Sequence, residues 1–263
     1  MKAIIGYLRE YIRSLDRTVF LSTTLFTAVL VILNYTLEIE PRLFNLPNYG
    51  WQFMGFFLLF AFTYTVAWLI QGLAAKESAP TDRLFYVLLL AVPLIFAGKI
   101  TFDWASELAA SRLRYPWNLY WNRTLNWPLK SLAVLLPVMA LWKWGRYPLP
   151  VAGMQWNGFP VKPYLLLVLA MLPLIAFAAT QPDFLRTYPK VMRIAFIDAH
   201  VSNTFWYKLL YEFCYGIDFV TIEFFFRGFV VLAFARYAGK DAILPMAALY
   251  CSIHFGKPLF ECI

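Results

Sequence analysis

Long apolar runs recur along the chain at 19–37, 51–74, 84–102, 129–144 and 164–180, separated by short charged or proline-rich breaks. A helix needs about 20 apolar residues to cross a hydrocarbon core about 30 Å thick, because it must satisfy its own backbone hydrogen bonds where no water can. Pro93, Pro137 and Pro173 lie inside three of the runs, where neighbouring helices can cover the carbonyls they free. Two later runs, 205–237 and 242–256, mix charge into otherwise apolar sequence. The pattern predicts an all-α, polytopic transmembrane helical bundle with about seven spans in view.

Between the runs, three segments have their own character. The start, MKAIIGYLREYIRSLDR, carries Lys2, Arg9, Arg13 and Arg17; it reads as an amphipathic leader at the cytoplasmic face and not as a cleaved signal. The longest polar stretch, 103–127, interleaves Trp117, Tyr120, Trp121 and Trp127 with Arg112, Arg114 and Arg123. Such spacing could stack nucleic-acid bases, but beside membrane runs it reads as an interfacial aromatic belt. A Pro/Gly-rich loop follows the fourth run, and neither an internal repeat nor a low-complexity tract is visible.

Composition sharpens the class. Of 263 residues 61% are hydrophobic and only 14% charged, and mean hydropathy is +0.61, which excludes disordered, collagen-like and ordinary soluble chains. The net charge of +8 is dispersed in short clusters between apolar runs, as positive-inside topology and anionic headgroups require, so no nucleic-acid partner is expected. A small Lys and Arg excess puts the N-terminus on the cytoplasmic side of a multi-pass protein of the plasma membrane. Cys214, Cys251 and Cys262 lack metal or redox spacing and read as packing residues.

Chemistry concentrates after Gln181. Charge held inside a membrane is costly and marks candidate function. Glu212, Asp218, Glu223 and Arg227 lie in the run 205–237. Glu223 and Arg227 are four apart and can pair on one helix face, and Glu212, three turns before Glu223, falls on nearly the same stripe. Asp218 either raises the proton affinity of Glu223 or pairs with Lys208, Arg227 or a backbone donor. Gly228 allows another helix to approach, and Phe224, Phe225 and Phe226 pack in the core or against lipid. In the next run His254 can exchange protons or bind metal near neutral pH. His200, beside Asp198, is either a relay or an interfacial histidine.

Ile222-Glu223-Phe-Phe-Phe-Arg227-Gly228, followed by Tyr250-x3-His254, resembles the first two motifs of the CAAX-processing and bacteriocin-processing (CPBP, Abi) intramembrane protease family. That pattern reads Glu-Glu-x3-Arg, Phe-x3-His, then His-x3-Asn or Asp on a later helix. The resemblance covers about a fifth of the chain. It implies a hydrolase, an intramembrane peptidase or metalloprotease acting on a peptide or protein substrate within the bilayer, with Glu223 as base, His254 as its partner and Arg227 fixing the carboxylate. It divides the chain into N-terminal helices, 1–180, and a protease-like region, 181–263, that lacks the third motif. With that motif on a further helix, eight spans are expected.

Two departures remain. Ile222 stands where the family has its first glutamate, so either Glu223 suffices, Glu212 substitutes, or catalysis is lost. One Glu and one His are too few ligands for a catalytic zinc, which leaves a metal cofactor open. The rivals are a non-catalytic membrane scaffold or immunity-type protein of the same fold, and a proton-coupled transporter using Glu212, Asp218, Glu223 and His254 as a relay.

Overall fold

The computed structural model describes residues 2–75, 82–154 and 161–257 and is built from helices, with no strand among the described residues. The charged leader forms α1 (Lys2–Ser14), with Ile5, Leu8 and Ile12 exposed along it. Asp16 then caps α2 (Arg17–Leu37) by accepting from the Thr18 and Val19 N–H groups at 2.7 and 3.0 Å, two donors the first turn cannot satisfy itself. Glu38, at φ 51°, ends α2 in the left-handed region and turns the chain into the short α3 (Ile39–Phe44). Next come α4 (Tyr49–Ala75), α5 (Arg83–Thr101), α6 (Asp103–Ala110) and α7 (Trp117–Trp144). After a 3-10 turn, Val151–Gly153, follow α8 (Val161–Ala178), α9 (Pro182–Thr187) and a 3-10 stretch, Lys190–Ala199. The chain closes on α10 (Phe205–Glu223), a π-helical segment Phe224–Val230, α11 (Val231–Ala238) and α12 (Ile243–Ser252).

Four stretches are long and apolar enough to cross a bilayer: Arg17–Leu37, Tyr49–Leu73, Arg83–Ala110 and Trp117–Trp144. The protein is an integral membrane protein by this measure, and four of the expected spans have such a counterpart. The other three differ for separate reasons. Helix α8 offers only the shorter apolar helix Tyr164–Ala178; its positions 164–177 are all exposed, as on a helix facing lipid on every side. The run 205–237 is continuous helix but carries its charges inside, and α12 has 10 residues. Cys262 lies outside the described residues.

The polar stretch 103–127 is largely helical. It forms α6 and the first three turns of α7, because Trp117, Tyr120, Trp121 and Trp127 recur at helical spacing and pack with Ile194, Ile197, Tyr207 and Tyr211. This aromatic cluster is separate from the main core. In that core, Phe56, Phe60, Tyr64 and Trp68 form one buried stripe of α4, four residues apart, while Leu58, Phe62, Leu69 and Leu73 point outward. The stripe meets Phe85 and Phe96 of α5 and Phe225, Phe226, Phe229 and Phe234 of the C-terminal helices. Trp68 stacks on Phe234 with centroids 5.0 Å apart, and Phe96 lies 5.1 Å from Phe226. Interlocked rings of this kind add to the packing that must hold helices together where no hydrophobic drive separates them from lipid.

Two charged side chains are enclosed by that packing. Lys99 of α5 and Asp218 of α10 are 7% and 6% exposed, with Nζ and Oδ1 2.8 Å apart. Lys99 also lies 5.5 Å from the Phe96 ring centroid. Neither charge could be held there alone, since removing one partner of a buried pair costs about 3–5 kcal/mol. At the other end of α5, Asp82 accepts from Leu84 N–H at 2.9 Å and from the Tyr237 hydroxyl at 3.0 Å, tying the helix start to α11.

Lys99→Met and Asp218→Leu are each expected to lower stability by about 3–5 kcal/mol, whereas the double variant recovers most of the loss; thermal unfolding of the four proteins in detergent measures this. The Leu84 and Tyr237 donors, with smaller help from Arg236, hold the Asp82 carboxyl below its ordinary range. A lowered folded-state pKa gives stability that is complete above the unfolded value near 4 and lost as pH falls through the folded one. Scans from pH 6 to pH 2.5 should therefore show a decline that Asp82→Asn reduces.

Candidate functional site

On α10 and the π segment, ideal helical geometry separates Asp218 from Glu223 by about 140° around the axis, and Glu212 from Glu223 by only about 20°. The two faces have different fates. Asp218 turns inward to Lys99, a partner absent from the sequence-derived set of Lys208, Arg227 or a backbone donor. Lys208 instead pairs with Asp198 at 2.6 Å. Glu223 and Arg227 pair with each other across one turn, as their spacing predicts, with side chains 43% and 67% exposed. Glu212 is half-buried on α10.

Arg227 lies inside the π-helical segment, whose wider turn re-aims side chains and recurs at functional sites. The segment is braced from behind. Gly228 faces Ala152 so closely that a Cβ would lie 2.9 Å from the Ala152 carbonyl oxygen. The close approach expected at Gly228 is therefore made by the 3-10 turn Val151–Gly153 and not by another long helix. Ala152 is itself at φ 52°, and Gly153 at φ 72°, where a side chain would strain the backbone and strike Leu232.

Helix α12 brings the second motif to the same place. The Arg227 guanidinium carbon is 6.0 Å from the Tyr250 ring centroid, and the Tyr250 ring centre is 4.7 Å from that of His254. His254 Nδ1 donates to the Tyr250 carbonyl at 2.9 Å. Because a carbonyl only accepts, this bond calls for an N–H on Nδ1. Arg227, Tyr250 and His254 line an open groove of about 800 Å³ between α2 and α12, with Thr23, Thr27 and Val31 on its far wall. The groove is mainly apolar, with a cation and an imidazole on one side.

The α2–α3 corner holds the turn that follows His254. Asn34, 2% exposed, donates from Nδ2 to the Phe255 carbonyl at 3.0 Å and accepts the Glu40 N–H at 3.1 Å. Tyr35 donates its hydroxyl to the Lys257 carbonyl at 2.6 Å. Glu40 packs so tightly on Gly256 that any side chain there would collide with its carboxylate, and burial pushes that carboxyl above the usual range. Asn34, Glu40 and Lys99 were not singled out in the sequence. Lys99 alone carried a usable signal, a lysine inside an apolar run.

His200 and Asp198 do not join this group. His200 Nδ1 donates to the Phe196 carbonyl at 3.0 Å and its ring packs on Tyr115, while Asp198 binds Thr204 and Lys208. Among the described residues no three His, Cys, Asp or Glu side chains gather where they could hold a metal ion. Glu223 and His254 together would offer one oxygen and one nitrogen, short of a zinc site. No family model, curated protein or solved structure matches the chain.

Asn34→Ala leaves the Phe255 carbonyl and the Glu40 N–H without their partner, a cost of about 1–3 kcal/mol. Hydrogen exchange is expected to rise at residues 253–257 while α4 and α5 keep their protection.

Proposed function

We propose that the protein is an intramembrane endopeptidase of the CAAX-processing and bacteriocin-processing type, hydrolysing a peptide bond in a membrane-embedded peptide or protein. What carries this reading is one apolar groove lined by Arg227, Tyr250 and His254, with Glu223 paired to Arg227 beside it. An extended peptide is a fitting occupant, because its side chains are largely apolar while its carbonyls need a polar wall. The finer topology belongs to the same proposal: about seven spans in view, in the plasma membrane, with the N-terminus cytoplasmic.

In the proposed reaction a water lies between Glu223 and His254. Glu223 takes one of its protons as the oxygen attacks the scissile carbonyl carbon, and the carbonyl oxygen becomes an oxyanion. Arg227 holds the carboxylate through a charge-assisted bond and limits its rotation. Collapse of the tetrahedral species breaks the C–N bond, and the proton passes through His254 to the departing amine. The products are a free carboxylate and an amine, and no redox partner is needed. A metal ion, if bound, would supply Lewis acidity to the water, but no step is assigned to one.

The scaffold reading has one observation in its favour. Ile222, where the resemblance calls for a first glutamate, packs against the main core. A relay through Glu212, Asp218, Glu223 and His254 is less favoured, since Lys99 holds Asp218 on the opposite side of α10.

With the chain in proteoliposomes and a library of quenched-fluorophore peptides, Glu223→Gln and His254→Ala are each expected to lower turnover by about 10²–10⁴-fold at unchanged helix content. Turnover retained in either variant refutes the assignment, and peptide capture without cleavage in the unaltered chain favours the scaffold.

A further inference from the structure

A second cavity, remote in chemistry from the groove, lies among α7, the α5–α6 junction, the 3-10 stretch Lys190–Ala199 and α10. Its volume is about 360 Å³, within the range of small-ligand sites, and its walls include Asp103, Arg123, Trp127, Lys130, Arg193 and Tyr211. Three cations thus face one carboxylate. That carboxylate is already engaged, by Lys130 at 2.7 Å and by the Asn126 amide at 2.6 Å. Lys130 also donates to the Ile100 carbonyl at 3.2 Å. Lys130 and Asp103 therefore satisfy each other, and the charges of Arg123 and Arg193 remain.

Neither arginine has a carboxylate partner among the described residues. Arg123 is nevertheless held in place: one of its N–H groups donates to the Arg193 carbonyl, and its guanidinium lies 5.5 Å from the Phe196 ring centroid. A guanidinium has five donors in a fixed plane, so one backbone bond orients it and leaves a fork for an oxyanion. Depth selects the ligand further. The cavity begins where the apolar run of α5 ends, beside the aromatic cluster of Trp117, Tyr120, Trp121, Tyr207 and Tyr211, and such rings collect at the headgroup level of a bilayer.

We infer that this cavity binds a phosphate group, carried at this depth by the headgroup of an anionic phospholipid, with Arg123 and Arg193 on the phosphate oxygens and Trp127 and Tyr211 against the glycerol and upper acyl chain. The site is independent of the peptidase reading and stands or falls separately from it.

Calorimetric titration of the chain in dodecyl maltoside with dihexanoylphosphatidylglycerol tests it. Arg123→Gln and Arg193→Gln are each expected to weaken binding by about tenfold, the worth of one charge-assisted contact. Arg193 is exposed, so its variant tests the site without disturbing the fold. Arg112→Gln/Arg114→Gln, which removes two exposed charges outside the cavity, should leave affinity unchanged; an equal loss there would reduce the effect to general surface charge and overturn the site. Undiminished binding in Arg193→Gln and Arg123→Gln also overturns it. Inorganic phosphate is the arm that separates sources: it should bind about tenfold or more weakly for want of apolar contact, and equal affinity would overturn the lipid assignment in favour of free phosphate.

Discussion

The Lys99–Asp218 contact sets the rotation of the C-terminal helices. A charge inside an apolar bundle must meet its counter-ion, so once α5 places Lys99 in the interior, α10 can turn only one way about its axis. That choice sends Glu223 and Arg227 to the other side, with Arg227 reaching Tyr250 of α12 and the groove. The aromatic core would tolerate several rotations, since ring contacts are numerous and individually weak. An ion pair tolerates only one.

Lipid on the outside explains what could be read from sequence and what could not. Four of the spans were legible because length and apolarity are local properties; so were the amphipathic leader, the Glu223–Arg227 pair and the Tyr250-x3-His254 spacing, each set within a turn or two. Which face of a helix turns inward was not. On α4 the inward Phe56, Phe60, Tyr64 and Trp68 and the outward Leu58, Phe62, Leu69 and Leu73 are equally apolar, so hydrophobic periodicity carries little information about rotation. The same blindness hid Lys99 as the partner of Asp218. The helical character of 103–127 was obscured for another reason: the aromatic spacing that places its ends in α6 and α7 was ascribed to the interface alone.

The candidate site is assembled from pieces with different mechanical supports. The Glu223–Arg227 pair bridges the end of α10 and a π segment that Ala152 braces through the missing side chain of Gly228. His254 follows a ten-residue helix and depends on Asn34 and Tyr35 to anchor the turn beyond it. Neither support lies in the region that holds the motifs themselves. Thus the residues that resemble a protease cover a small part of the chain, while the backbone that aims them is drawn from α2, α3 and the turn after α7.

That dependence has a consequence for biosynthesis. Asn34 and Phe255 are 221 positions apart, so the clamp between them cannot close while the intervening chain is still being made. Helices α2, α4 and α5 can insert and pack in order of emergence, but the turn after His254 has no shape until nearly all of the described chain has left the ribosome. The growing protein therefore passes through the membrane machinery with the turn after His254 unclamped, and that turn is fixed only when Asn34 and Phe255 meet.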